Sequence, residues 1–209
     1  MTPPRQALWL LAFAAFAGVV PVRASQPTPE EIKARYLLHF AEFVEWPAGS
    51  MPGTNGHLVV GIVGHDPVID LLRLQVGSRI AGRPLEIREF TSAQEFLQVT
   101  APARQWEEAR DRRATNVREL RSCHIVYVSA SERSRVPGLV RCLQDSNILL
   151  VGDSAGFTRQ GGVIGFFGTP VQIEISLAAV QKAGLRINPQ LLRLAKVIAP
   201  EDAAPRSSP

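Results

Sequence analysis

His57-Leu58-Val59-Val60-Gly61-Ile62-Val63-Gly64, followed by His65 and then Asp66-Pro67, sets the fold class of this chain. The first eight residues form a short apolar run with several β-branched side chains, which predicts a strand. Asp66 supplies a helix cap and Pro67 a first-turn proline, so a helix should follow and end near Gly77. Working outward, Leu85, Ile87 and Glu89 alternate with Glu86, Arg88 and Phe90 in a second strand, and Ser92-Ala93-Gln94-Glu95 caps a short helix. Cys123-His124-Ile125-Val126-Tyr127-Val128-Ser129 and Asn147-Ile148-Leu149-Leu150-Val151-Gly152 are strands of the buried type, with a helix over Val136 to Leu143 between them. This alternation predicts an α/β domain whose mainly parallel sheet is covered on both faces.

Upstream, Thr28-Pro29-Glu30-Glu31 is a capping box with proline at the first helical position. Ile32, Tyr36, Leu37, Phe40, Phe43 and Val44 share one helical face, and Pro47 stops the run soon after Trp46. The stretch from Thr100 to Arg121 is polar and has no sustained apolar face, which fits a surface helix or a mobile insertion. Downstream, Gly161 to Phe167 and Val171 to Ile175 are strands joined by Gly168-Thr169-Pro170, an antiparallel hairpin at the sheet edge. A helix over Leu177 to Ala183 closes at Gly184, and Asn188-Pro189 opens a last helix through Leu191, Leu192, Leu194, Ala195 and Ile198.

The chain begins with a basic start and an apolar stretch from Gln6 to Val20, then Val22-Arg23-Ala24. The stretch falls short of the roughly 20 apolar residues that span a bilayer. It reads as a signal peptide cleaved after Ala24, which places the mature protein in the bacterial periplasm; an uncleaved anchor is the alternative. One domain over 25–199 and a disordered tail over 200–209 complete the expected organisation. Cleavage removes Arg5 and Arg23 and no acid, so the formal charge falls from +4 to +2, too little to argue for nucleic acid. Cys123 and Cys142 would meet an oxidising compartment, and one disulfide between them is expected; two buried free thiols are the alternative.

Catalytic signals are weak. Gly61-Ile62-Val63-Gly64-His65-Asp66 fails the dinucleotide fingerprint at two of its three glycine places and reads as a tight turn with Asp66 as cap. Ser129-Ala130-Ser131-Glu132 lacks the glycines of a nucleophile elbow, so Ser129 reads as a helix cap. His39, His57, His65 and His124 are scattered and form no metal pattern with the cysteines. No acid pair or triad emerges. The reading is therefore of a binding protein without cofactor or metal, not an enzyme.

Four stretches in order carry a family resemblance. They are His39 to Pro47 (His-Phe-Ala-Glu-Phe-Val-Glu-Trp-Pro), Cys123 to Ser129, Leu149-Leu150-Val151-Gly152-Asp153 running through Gly156-Phe157 to Gly161-Gly162-Val163-Ile164, and Gln190-Leu191-Leu192-Arg193-Leu194-Ala195. In this order and spacing the chain resembles the YfiR family over about residues 30 to 198. The resemblance implies a Rossmann-like three-layer α/β sandwich without catalysis. It implies repression of an inner-membrane diguanylate cyclase through the cyclase's periplasmic sensor domain, with lowered cyclic-di-GMP and biofilm output. Sequestration by an outer-membrane lipoprotein, a homodimer and a redox-sensitive disulfide are implied too. The founding type carries two disulfides, whereas this chain has only Cys123 and Cys142, which puts redox control in doubt.

The partner-contact candidates are Phe43, Trp46 and Pro47 at the end of the first helix, and Ile164, Phe166 and Glu174 on the hairpin. The hairpin's edge could pair with a partner. Two other functions compete. One is a periplasmic small-molecule binder that passes a ligand signal to a membrane receptor, its crevice near Pro67, Ser129 and Asp153. The other is a hydrolase whose site the sequence does not show.

Overall fold

Thr28 fixes where the first helix begins: its hydroxyl accepts from the Glu31 N–H while the Glu31 carboxylate accepts from the Thr28 N–H. The computed structural model describes residues 26–49, 56–97 and 105–199. The expected signal peptide at 1–24 and tail at 200–209 lie outside them. Helix α1 (Pro29–Phe43) buries Ala34, Leu37, Phe40 and Ala41. It ends where Val44 turns extended, and β1 (Val44–Glu45) pairs antiparallel with β9 (Arg186–Ile187) in a two-residue ribbon that the sequence did not announce.

Among the described residues the main sheet has eight strands. From the deciding stretch, β2 (Leu58–Val63) leads through α2 (Val68–Arg73) and the short β3 (Arg79–Ile80) to β4 (Arg83–Phe90). Then come α3 (Gln94–Leu97), α4 (Trp106–Arg121), β5 (Ile125–Val128), α5 (Val136–Cys142) and β6 (Leu149–Gly152). The chain closes with β7 (Ile164–Phe167), β8 (Gln172–Ser176), α6 (Leu177–Lys182), β9, α7 (Pro189–Leu194) and β10 (Lys196–Ile198). Spatial order is β10-β8-β7-β6-β5-β2-β4-β3. Neighbours from β4 through β7 run parallel, and β8 turns back antiparallel to β7. Every residue of β2, β5 and β6 is buried, as a sheet covered on both faces requires.

The register assigns the faces. Ile62 lies beside Tyr127, and Gly61 beside Val126. Tyr127 joins Phe166, Phe40 and Tyr36 of the α1 side in an aromatic cluster with centroids about 6 Å apart. Gly61 faces Cys123 and Phe90, and Phe90 meets Phe96 of α3 edge to face. Helices thus lie on both sides, making the three-layer sandwich. The polar stretch before Arg121 resolves, over its described residues, as the surface helix α4, with Leu120 buried and Arg113 donating to the Phe96 carbonyl.

Two expectations need correction. The last helix stops at Leu194, because Ala195 is extended and Lys196–Ile198 forms β10 along β8. A bare outer edge of β8 would leave its backbone groups unpaired, and this short β-branched segment satisfies them. For the same reason the hairpin is not a free edge: β10 covers it.

Candidate protein-binding face

A doubly wound sheet offers ligands a crevice where its strand order reverses, here above the ends of β2 and β5. Around Gly64 that crevice is closely packed. Gly64 sits at φ +92°, and a Cβ there would lie 2.6 to 2.8 Å from Ser129 Oγ, Ser131 Oγ and Glu132 Cγ. Glu132 is buried and accepts from the Ala93 N–H, the Ser92 hydroxyl and the Arg135 guanidinium. A buried carboxylate beside that turn would repel a phosphate. Asp66 is likewise committed: its two oxygens accept from the Val68 N–H and the Tyr127 hydroxyl. Burial, then Asp66 and Asp153, push the Tyr127 phenol up, so it stays neutral as a donor. Ser129 caps the following 3-10 turn by accepting from the Ser131 N–H. These side chains build a floor, not a reactive centre.

Above that floor lies α1, anchored by Lys33 Nζ on Asp153 Oδ2 at 2.7 Å. Its outward sides are open along two grooves. One, of about 450 Å³, runs between α1 and α7 and is lined by Ile32, Tyr36, Phe40, Phe43, Leu191 and Leu194. The other, of about 530 Å³, lies between α1, α2 and β3 and includes Leu38, Leu71, Leu74 and Ile80. Leu194 is 72% exposed and Leu74 79%, which is unusual for leucines that border a helix already packed on a core. Glu31, Arg35 and His39 border both grooves. Apolar lining with a charged rim is the anatomy of a protein-binding surface.

The pattern of the YfiR/HmsC-like family matches residues 30–196, from the first turn of α1 into β10. The chain belongs to that family. Members of the YfiR/HmsC-like family are periplasmic regulators in cyclic-di-GMP signalling rather than enzymes. No curated protein matches this chain. Among solved structures it is similar to a conserved domain protein from Vibrio cholerae O1 biovar El Tor, with 12% identity and a TM-score of 0.46 over 69% of this chain. It spans 55% of that protein.

In this YfiR/HmsC-like chain the predicted contact residues divide. Phe43 lines the α1–α7 groove. Trp46 and Pro47 are half-buried, and the Trp46 indole N–H is buried, so the polar end that would reach a partner is turned away from it. Ile164 and Phe166 are buried at 0% and 3% exposure and form core, a correction that follows from the helices covering both sheet faces. Glu174 is no exposed contact either: its carboxylate accepts from the Thr158 hydroxyl and pairs with Lys196 at 3.2 Å. Sequence reasoning placed Leu194 on an apolar helix face and missed Leu74 altogether. The signal was present in Leu191 and Leu194, three residues apart and so on one face of α7: Leu191 is buried, while Leu194, the last residue of the helix, borders the same groove and stays exposed. Among the described residues no cluster of His, Cys, Asp or Glu could hold a metal, and no helix is long and apolar enough to cross a membrane.

The expected disulfide is corrected as well: Cys123 and Cys142 are separate thiols. The Cys123 S–H turns into the sheet face beside Gly61 and donates to the Glu119 carbonyl at 3.5 Å. Cys142 sits half-buried at the end of α5. Burial pushes Cys123 up to about 12 and raises Cys142 too, so neither is a ready thiolate at neutral pH. A thiol reagent should titrate two thiols in unfolded, unreduced protein, whereas in the native protein Cys142 reacts slowly and Cys123 not at all. Finding no thiol after unfolding would restore the bond.

Proposed function

We propose that this protein is a periplasmic inhibitor of an inner-membrane diguanylate cyclase, which it silences by binding the cyclase's periplasmic sensor domain through the α1 face. Family membership over 30–196 supports the class of function, and the open apolar groove between α1 and α7 is the observation that carries the mode of action. Close packing around Gly64 counts against a small molecule seated at the ends of β2 and β5. Inhibition needs no chemistry. The inhibitor must bind the inactive sensor better than the active one, and moving a sensor from 1:99 to 99:1 takes a difference of about 5.5 kcal/mol. A homodimer would display the face twice, and an outer-membrane lipoprotein that covers it would release the cyclase.

The test is reconstitution of the cyclase in vesicles with its periplasmic domain accessible. Added protein should suppress cyclic-di-GMP synthesis, and a cyclase without its sensor domain should not respond. Unchanged synthesis by the complete cyclase would overturn the proposal.

A further inference from the structure

His124 is a titratable side chain at 2% exposure that the binding face does not use directly. It precedes β5, and its Nδ1 accepts from the Val59 N–H of β2 at 3.0 Å. That bond fixes the tautomer, with Nδ1 bare and the proton on Nε2. Nε2 is buried and makes no hydrogen bond. The Trp46 indole stands edge-on to the imidazole, with centroids 6.1 Å apart and planes at 88°, and its own Nε1–H is also buried without a hydrogen bond. Trp46 directly follows β1, the extension of α1, so the imidazole supports the chain where the helix leaves the sheet.

A second proton changes this arrangement. An imidazolium carries N–H groups on both nitrogens, so its Nδ1–H would confront the Val59 N–H, two donors with no acceptor between them. The bond must break and the ring must leave its place. The charges nearby come from β4: Arg83 and Arg88 oppose a cation, and Glu86 favours one. Glu86 is itself drawn to Arg88 at 2.7 Å and His57 at 3.4 Å. Burial first, then Arg83 and Arg88, depress His124 below its ordinary 6.5, and Glu86 pulls the other way; the Val59 N–H, which needs a bare Nδ1, also favours the neutral ring. The unfolded chain therefore takes up the proton first. The packed arrangement is fully stable above the ordinary histidine range and loses stability as the pH falls through and below it.

We propose that His124 and Trp46 form an acid-released latch on the end of α1, in which the neutral imidazole holds the indole and protonation ejects the ring, freeing the Val44–Pro47 segment. Phe43 immediately precedes that segment and lines the α1–α7 groove, so release would reshape one end of the binding face. This last link rests on the proposed function; the latch does not, and it is read without a partner.

The chain has three tryptophans, so Trp9→Phe with Trp106→Phe leaves Trp46 as the sole indole. Its emission should show one reversible step as the pH is lowered below the ordinary histidine range and before acid unfolding. Adding His124→Asn, whose amide oxygen can accept from Val59 but does not titrate, should abolish the step. No step, or a step that survives His124→Asn and so belongs to His39, His57 or His65, would overturn the latch. Should His124→Asn fail to fold, hydrogen exchange at the Val59 amide of the unaltered chain decides. Its protection should fall by up to about tenfold per pH unit once protonation drives opening, and protection constant down to acid unfolding would overturn the latch.

Discussion

Gly162→Val should remove most of the domain's stability, shifting the urea midpoint by the equivalent of about 3–5 kcal/mol, the usual loss when a core aromatic is displaced. The Phe157 ring, 1% exposed, is slotted between two glycines, Gly152 at the end of β6 and Gly162 before β7. A Cβ at Gly162 would lie 2.1 Å from the ring and one at Gly152 2.2 Å, distances no real pair of atoms tolerates. The ring cannot slide away, because the Gly162 N–H donates to the Phe157 carbonyl and ties the glycine to the residue it would displace. Valine must therefore expel Phe157 from the core, and domains of this kind have only about 5–15 kcal/mol in total. Gly156→Ala is the control: it carries only left-handed strain at φ +71°, with open space around it, and should cost about 1 kcal/mol. An unshifted midpoint for Gly162→Val would contradict this account of the Gly152–Gly162 motif.

Leu194→Glu should weaken binding to the cyclase's sensor domain by at least about tenfold while leaving the melting curve in place. The leucine is 72% exposed and borders the α1–α7 groove, so the unbound protein should register its loss within about 0.5 kcal/mol. A central apolar contact is worth more than that in a complex, and a buried unpaired carboxylate adds a penalty of its own. Leu74→Glu probes the second groove in the same way, so the pair of variants locates the contact on one side of α1 or the other. Phe166→Ala would not serve, because it would unfold the core and weaken binding for the wrong reason. Full affinity for both exposed variants would remove the α1 face from the proposal.

The sequence carried the local signals well and the distant ones poorly. Asp66 could be read as a cap because its bond to the Val68 N–H spans two residues, and Thr28 because its box spans three. Lys196–Ile198 could not be read as a strand, since its pairing with Glu174, Ile175 and Ser176 lies about 20 residues away and the preceding leucines continue a helical pattern. Alternation misled at Ile164, Phe166 and Glu174: on a sheet covered on both sides the polar residue of an alternating strand is enclosed too, here by Thr158 and Lys196. The binding face was half legible. Phe43, named for its place at a helix end, lines one groove of the candidate face, but the grooves exist only because α7 and α2 flank α1, and nothing near α1 in the chain says so.

Cellular cyclic-di-GMP should be compared among a strain lacking this protein, the same strain carrying the full chain, and one carrying it without residues 1–24. Deletion should raise the level, and only the full chain should reverse the rise. An unchanged level on deletion, or equal rescue by the form without residues 1–24, would contradict periplasmic inhibition of a cyclase.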